Sequence, residues 1–291
     1  MREEFLTQAH IAYMEGRDME TSFLDKKSDG VSSFLRISMI QSDIIWENIE
    51  ENICVYGKLL SCLAGKTDIA VLPEMCTTGF SFKTKDLAEA NDGKTITGMK
   101  KYARDYNIAI TGSFMASDNG NYYNRAFFLT PDGREYYYDK RHLFRMAGED
   151  KYFSSGTKRL IVDYLGWKIC LMVCYDIRFP VWCRNTDNEY DLLIYVANWP
   201  EARIDAWKTL LKARAIENMC YVCGVNRVGV DVNDVKHNGC SRIYSPKGEK
   251  VFETENNKIS IITGVLEREK LDSLRVKFPA WKDADKFEID Y

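Results

Sequence analysis

Four short stretches carry side chains able to do acid–base or nucleophilic chemistry. They are VLPEM with Glu74, YYYDKRHLF with Lys140, AGEDKYF with Glu149 and VCYDIRFP with Cys174. Each candidate stands at the end of an expected strand or just after one. A thiol in that place has three readings: a packed filler, a metal ligand or a nucleophile. A carboxylate can accept and return a proton, and an ammonium ion favours a thiolate or a developing oxyanion. Taken singly, each residue also has a bland reading, since a Glu and a Lys at strand ends face solvent or form a salt bridge. Only the joint pattern favours chemistry.

Metal ligation has little support. Cys170 and Cys174 are near neighbours, as are Cys220 and Cys223, but the chain has three histidines, at 10, 142 and 237. The tight paired motif of a structural zinc site is lacking, so no metal is expected. The nine cysteines form an odd set without framework spacing, which reads as reduced thiols and predicts a cytoplasmic protein.

A scaffold must bring the four residues together. FLRISMIQ (34–41) reads as a strand, followed by an amphipathic helix over 47–64 and a short buried strand, IAVLPE (69–74). Residues 97–107 read as a helix with Thr97 as its N-cap, and IAITGSFM (108–115) as the next strand. Pro131-Asp132-Gly133 separates two strands of a hairpin, and Gly166 marks a second turn within RLIVDYLGWKICLMVC (159–174). DLLIYVANW (191–199) is another buried strand. A helix follows over 201–218, with Ile204, Trp207, Leu211 and Ala215 near one face. Strands recur near 219–226, 239–245 and 259–265.

Crossovers mixed with hairpins give an α/β protein, and no GxGxxG follows an early strand to suggest a dinucleotide-binding fold. Residues 1–33 read as a polar leader, with a short helix around 3–15 as one option, and 34–291 as one domain. With 40 basic residues against 43 acidic ones and a net charge of −3, the chain does not fit a nucleic-acid partner. No apolar run approaches the roughly 18 residues of a membrane span, and the N-terminus lacks the apolar core of a secretory signal. The expected partner is a small molecule.

Taken in order, VLPEMCTTGF, YDKRHLF and VCYDIRFP resemble the nitrilase superfamily of carbon–nitrogen hydrolases. The segments KRHLFRM, VCYDIRFPVW, YVANWP, ARAIEN and VNRVG are most similar to bacterial omega-amidases, and the resemblance spans about 36–285. It implies a four-layer α-β-β-α sandwich and a cofactor-free amidase. By resemblance, Cys174 is the nucleophile, Glu74 the general base, Glu149 a further acid that orients Lys140, and Lys140 with the backbone N–H of Tyr175 the oxyanion hole. The reaction implied is hydrolysis of the distal amide of 2-oxoglutaramate or 2-oxosuccinamate through a thioester. Another small amidase, a carbamoyl-amino-acid hydrolase or a catalytically idle binding module are the alternatives.

An anionic keto-acid amide calls for an arginine. Arg145, Arg178 and Arg203 are the candidates, with Phe80, Tyr123 and Trp199 as candidate pocket aromatics. The resemblance also implies a homodimer packed across helices at 179–188 and 202–217, with Trp182 and Trp207 as candidate anchors.

Overall fold

The computed structural model describes residues 10–12, 27–28 and 31–289. The polar leader expected over 1–33 falls mostly outside the described residues. Residues 10–12, where a helix was one option, instead form a strand, β1 (His10–Ala12).

Along the chain, β2 (Lys27–Ser28) and β3 (Val31–Ser32) make a small antiparallel pair, and β4 (Phe34–Gln41) begins the regular core. Helix α1 (Ile49–Ser61) leads to β5 (Ile69–Val71); the short α2 (Thr84–Leu87) and α3 (Lys94–Tyr106) precede β6 (Ala109–Asp118). Then come β7 (Asn121–Leu129) and β8 (Glu135–Asp139), joined by the expected Pro-Asp-Gly turn. Strands β1 and β4 to β8, with β17 (Ser260–Glu267) inserted between β1 and β4, form a seven-stranded sheet in the order β1-β17-β4-β5-β6-β7-β8.

The second sheet begins with β9 (Ile161–Tyr164) and β10 (Trp167–Val173), which pair around the turn at Leu165-Gly166. β11 (Leu192–Ala197), α4 (Ile204–Asn218) and β12 (Tyr221–Asn226) follow. β13 (Val228–Val230) and β14 (Lys236–Asn238) form a separate hairpin before β15 (Arg242–Tyr244) and β16 (Lys250–Glu253). The sheet order is β16-β15-β12-β11-β10-β9, with β10, β11 and β12 parallel to one another.

The period-two alternation of strand side chains explains how the layers stack. Leu35, Ile37 and Met39 of β4, Ile69 and Val71 of β5 and Phe128 of β7 join the buried residues of β10, β11 and β12 in one core between the sheets. Their alternates Ile40, Ala70, Leu72, Ile110 and Phe127 face the other way, against Tyr56 and Leu60 of α1 and Met99 and Ala103 of α3. Helix α4 covers the far face of the second sheet through Trp207, Leu211 and Ala215, with Ile204 partly buried beside them. The result is the four-layer α-β-β-α sandwich.

Three local expectations are corrected. Thr97 lies inside α3, whose N-cap position is Gly93, and its hydroxyl donates to the carbonyl of Asp92. Residues 179–188 form turns, not a helix, because Pro180 and a second turn at Asp187-Asn188, both with positive φ, interrupt the run. Trp182 and Trp207 are core residues rather than interface anchors, 3% and 0% exposed. Their indole N–H groups donate to the Tyr138 hydroxyl and the Cys240 carbonyl. Helix α5 (Arg268–Lys277) has a weak apolar pattern, burying only Leu271.

Candidate active site

A cavity of about 680 Å³ opens where the carboxyl ends of β5, β10 and β11 meet, the edge at which parallel strands of open α/β sheets present ligand sites. Glu74, Lys140 and Cys174 line it, and Glu149 stands behind them, bonded to Lys140. The four residues come from both sheets.

Glu74 follows β5 in a turn whose next residue, Met75, has a φ of 43°. The carboxylate is fully buried and spans the two sheets. Oε1 accepts from Lys140 Nζ at 2.9 Å and from Asn124 Nδ2 at 2.7 Å. Oε2 accepts from the backbone N–H of Asn198, just past β11, at 2.7 Å, and Asn198 Nδ2 donates to the Glu74 carbonyl at 2.6 Å.

Lys140 directly follows β8. Its N–H donates to the carbonyl of Asn124 on β7 at 2.9 Å, and its own carbonyl accepts from Gly156 N at 2.9 Å. A Cβ on Gly156 would lie 2.0 Å from the Asp139 carbonyl oxygen, so only glycine permits this close approach. The ammonium lies 3.0 Å from each oxygen of Glu149. Burial opposes its charge, but Glu149 and Glu74 outweigh that and hold Lys140 protonated well above its ordinary range. Burial raises Glu149, while Lys140 works against the rise and Glu74 adds to it. Glu149 Oε2 also accepts from Phe144 N, which ties the 144–149 loop to the lysine.

Cys174 directly follows β10, has a φ of 44° and opens a 3-10 helix, Cys174–Arg178. A left-handed non-glycine residue costs on the order of 1–3 kcal/mol, and here the surroundings impose it. Asp176 Oδ2 accepts from Val173 N at 3.1 Å and from the Tyr138 hydroxyl at 2.7 Å, while Oδ1 accepts from His142 N at 2.9 Å. From the helix layer, buried Arg214 of α4 donates twice to the Ile177 carbonyl. The thiol itself is partly exposed to the cavity. Burial and then the Glu74 carboxylate raise it well above the ordinary range, and Lys140 offsets only part. That direction favours a resting thiol, where the sequence suggested a lysine-stabilised thiolate.

Of the candidate substrate contacts, Phe80, Trp199, Arg178 and Arg203 line the same cavity, as does Tyr175. Arg178 stacks over Trp199 at 5.0 Å and Arg203 over Phe144 at 5.1 Å. Among the described residues neither arginine has a carboxylate partner. Arg178 does not bind Asp176, whose oxygens are already occupied. Arg145 and Tyr123 are not brought to the cavity. Arg145 is exposed, 3.9 Å from Asp150, and Tyr123 packs toward the outer helices beneath the Arg125 guanidinium.

Sequence reasoning missed Asn124, Asn198 and His237. The first two are polar residues within or at the end of the apolar strands YYNRAFFLT and YVANWP, and that mismatch was the available signal. His237 lines the cavity from β14 and stays neutral: burial, then Arg227, lowers it to about 4.

The chain as a whole is similar to known proteins. The carbon-nitrogen hydrolase family model matches residues 36–276. The chain is 41% identical over 255 residues to omega-amidase YafV of Escherichia coli (strain K12), covering 88% of this chain and 98% of that protein. It is 32% identical to 2-oxoglutaramate amidase of Bacillus subtilis (strain 168), covering 86% and 97%. A solved CN-hydrolase superfamily protein from Xanthomonas campestris, with an arsenic adduct in its active site, shares 42% identity. It superposes with a TM-score of 0.86 over 88% of this chain and 99% of that one. Nit3 of Saccharomyces cerevisiae, at 22% identity and a TM-score of 0.78, shares the fold. With the sandwich, the cavity at its strand ends and a family match over most of its length, this chain belongs to the carbon–nitrogen hydrolases.

Proposed function

We propose that the protein is an omega-amidase, hydrolysing the distal amide of a short 2-oxo acid amide such as 2-oxoglutaramate or 2-oxosuccinamate. One observation carries the reading. The cavity that holds the thiol, carboxylate and ammonium is also lined by two guanidinium groups, Arg178 and Arg203, that have no carboxylate partner among the described residues. Planar guanidinium suits the carboxylate of such a substrate, and the cavity volume fits a small ligand. The named relatives are themselves omega-amidases or 2-oxoglutaramate amidases.

In this reading Glu74 takes the Cys174 proton as sulfur attacks the amide carbon, so a thiol, not a standing thiolate, starts the cycle. The oxyanion forms against the Lys140 ammonium and the Tyr175 N–H. The C–N bond breaks as Glu74 returns the proton to nitrogen, and ammonia leaves. Glu74 then deprotonates a water that attacks the thioester; the C–S bond breaks and sulfur is reprotonated. Amide and water give carboxylate and ammonium, the acid's proton passing to the released ammonia. Glu149 keeps Lys140 charged and placed. No cofactor or metal enters these steps.

The test is ammonia release from 2-oxoglutaramate set against glutamine, which differs at the 2-position. A preference for glutamine or for a carbamoyl amino acid would contradict the substrate assignment and leave the chemistry. The nine free thiols support a reducing, cytoplasmic setting. Exposed Val181 and Ile216, on the segments expected to meet a second copy, support a homodimer, which a sedimentation mass of one chain would contradict.

A further inference from the structure

Asn124 is fully buried and has no part in the bond changes above, yet it touches both carboxylates of the site. Its Nδ2 donates to Glu74 Oε1 at 2.7 Å and to Glu149 Oε1 at 3.2 Å. An amide nitrogen has two hydrogens, so each carboxylate receives one. The other end of the side chain decides this orientation. Ser113 Oγ accepts from Met75 N at 2.8 Å, and it donates to Asn124 Oδ1 at 2.9 Å. A hydroxyl has one hydrogen, and its other contact here is an N–H donor, so the Ser113 proton goes to Asn124 Oδ1. That leaves Nδ2 aimed at the carboxylates.

The relay also closes on Glu74 from both ends. Met75, the left-handed residue directly after Glu74, is held by the N–H that Ser113 accepts, while the carboxylate is held by Nδ2. The backbone of Asn124 adds a third constraint, since its carbonyl accepts from Lys140 N. One residue thus contacts all three members of the Glu74–Lys140–Glu149 cluster.

We propose that Asn124, oriented by Ser113, is a positioning residue that holds Glu74 and Glu149 apart as two anions about one Lys140 and keeps Glu74 aimed for proton transfer. This rests on the proposed role of Glu74 as base. Two carboxylates that share a lysine repel each other and favour a shared proton; an N–H donor placed between them relieves that repulsion.

The decisive variant is Asn124→Asp, which keeps the shape but turns a donor into an acceptor against two carboxylates. Melting temperature, kcat, KM and the pH profile of kcat/KM are measured on 2-oxoglutaramate. The expected result is kcat lower by about 100-fold, KM within about threefold because the substrate carboxylate is bound elsewhere, and the acid limb moved to higher pH. A folded Asn124→Asp with unchanged kcat and acid limb overturns the proposal, and so does a lowered melting temperature with both unchanged. Should Asn124→Asp not fold, Ser113→Ala decides: it should lower kcat by about tenfold and shift the acid limb the same way, and an unchanged profile overturns the proposal. Glu74→Gln separates the two layers. If that variant retains turnover, the assignment of the base itself fails; if it is inactive while Asn124→Asp is unaffected, only the positioning role fails.

Discussion

The backbone N–H of Asn198, at the end of a strand in one sheet, donates to Oε2 of Glu74, at the end of a strand in the other. The second oxygen of the same carboxylate belongs to Lys140 and Asn124 of its own sheet. The site is therefore a seam. Its geometry depends on how the two sheets pack, and the large inter-sheet core that holds Leu35, Ile37 and Val71 against β10 and β11 is also what sets Glu74 between Lys140 and Asn198.

Removing the Glu74 charge should have opposite effects on turnover and on thiol reactivity. Glu74→Gln loses the proposed base, so kcat should fall by about 10³-fold or more. It also removes an anion that raises the Cys174 thiol, while Lys140 remains. Alkylation of Cys174 by iodoacetamide at neutral pH should then be faster than in the wild type. Slower alkylation would contradict the resting thiol described above.

The two guanidinium groups should act on binding. Arg178→Ala and Arg203→Ala are each expected to raise KM for 2-oxoglutaramate by about 10- to 100-fold, the range for a lost charge-assisted contact. Turnover of a small neutral amide should change little. Equal losses on charged and neutral amides would show that the arginines shape the cavity rather than bind the carboxylate.

Acid stability should depend on His237. Its ordinary value of 6.5 falls to about 4 in the fold, through burial and then Arg227. Between those values the unfolded chain binds the proton and the folded one does not. Stability therefore rises with pH across this window, and the neutral histidine's contribution, on the order of 3 kcal/mol, is lost as pH falls toward 4. Urea midpoints at pH 4.5 and 7 should differ less in His237→Gln than in the wild type. An equal difference would contradict the shift.

Gly156→Ala tests how Lys140 is seated. The added methyl meets the Asp139 carbonyl at 2.0 Å, and backbone on both sides must move. A loss of at least about 2 kcal/mol is expected, with a larger proportional fall in kcat than in KM. Thermal melts and kinetics together check it; a stable, fully active variant would mean that the lysine is held by its carboxylates alone.

Much of this was legible in the chain. Alternation in FLRISMIQ gave β4 residue for residue, since one face must pack and the other must meet the helices. The turn at Pro131-Asp132-Gly133 fixed the hairpin that delivers Lys140. Where local pattern decides little, the reading failed. The resemblance implied a helix at 179–188, but Pro180 and left-handed Asp187 and Asn188 make turns there. Arg145 and Arg178 are equivalent as residue types and both are exposed; only the tertiary fold leaves one away from the cavity and sets the other at its rim, over Trp199. Asn124 was hidden for the same reason, because its partners Glu74 and Glu149 lie 50 and 25 residues away in sequence. The upward push on the Cys174 thiol comes from burial and from Glu74, 100 residues away in sequence, and so also depends on the tertiary fold.

The most direct test of the central claim is ammonia release from 2-oxoglutaramate, 2-oxosuccinamate, glutamine, a carbamoyl amino acid and a simple aliphatic amide, by the wild type and by Cys174→Ala. The account predicts preference for the two keto-acid amides and no turnover in the folded variant. Turnover by Cys174→Ala at the wild-type rate would contradict the thioester mechanism.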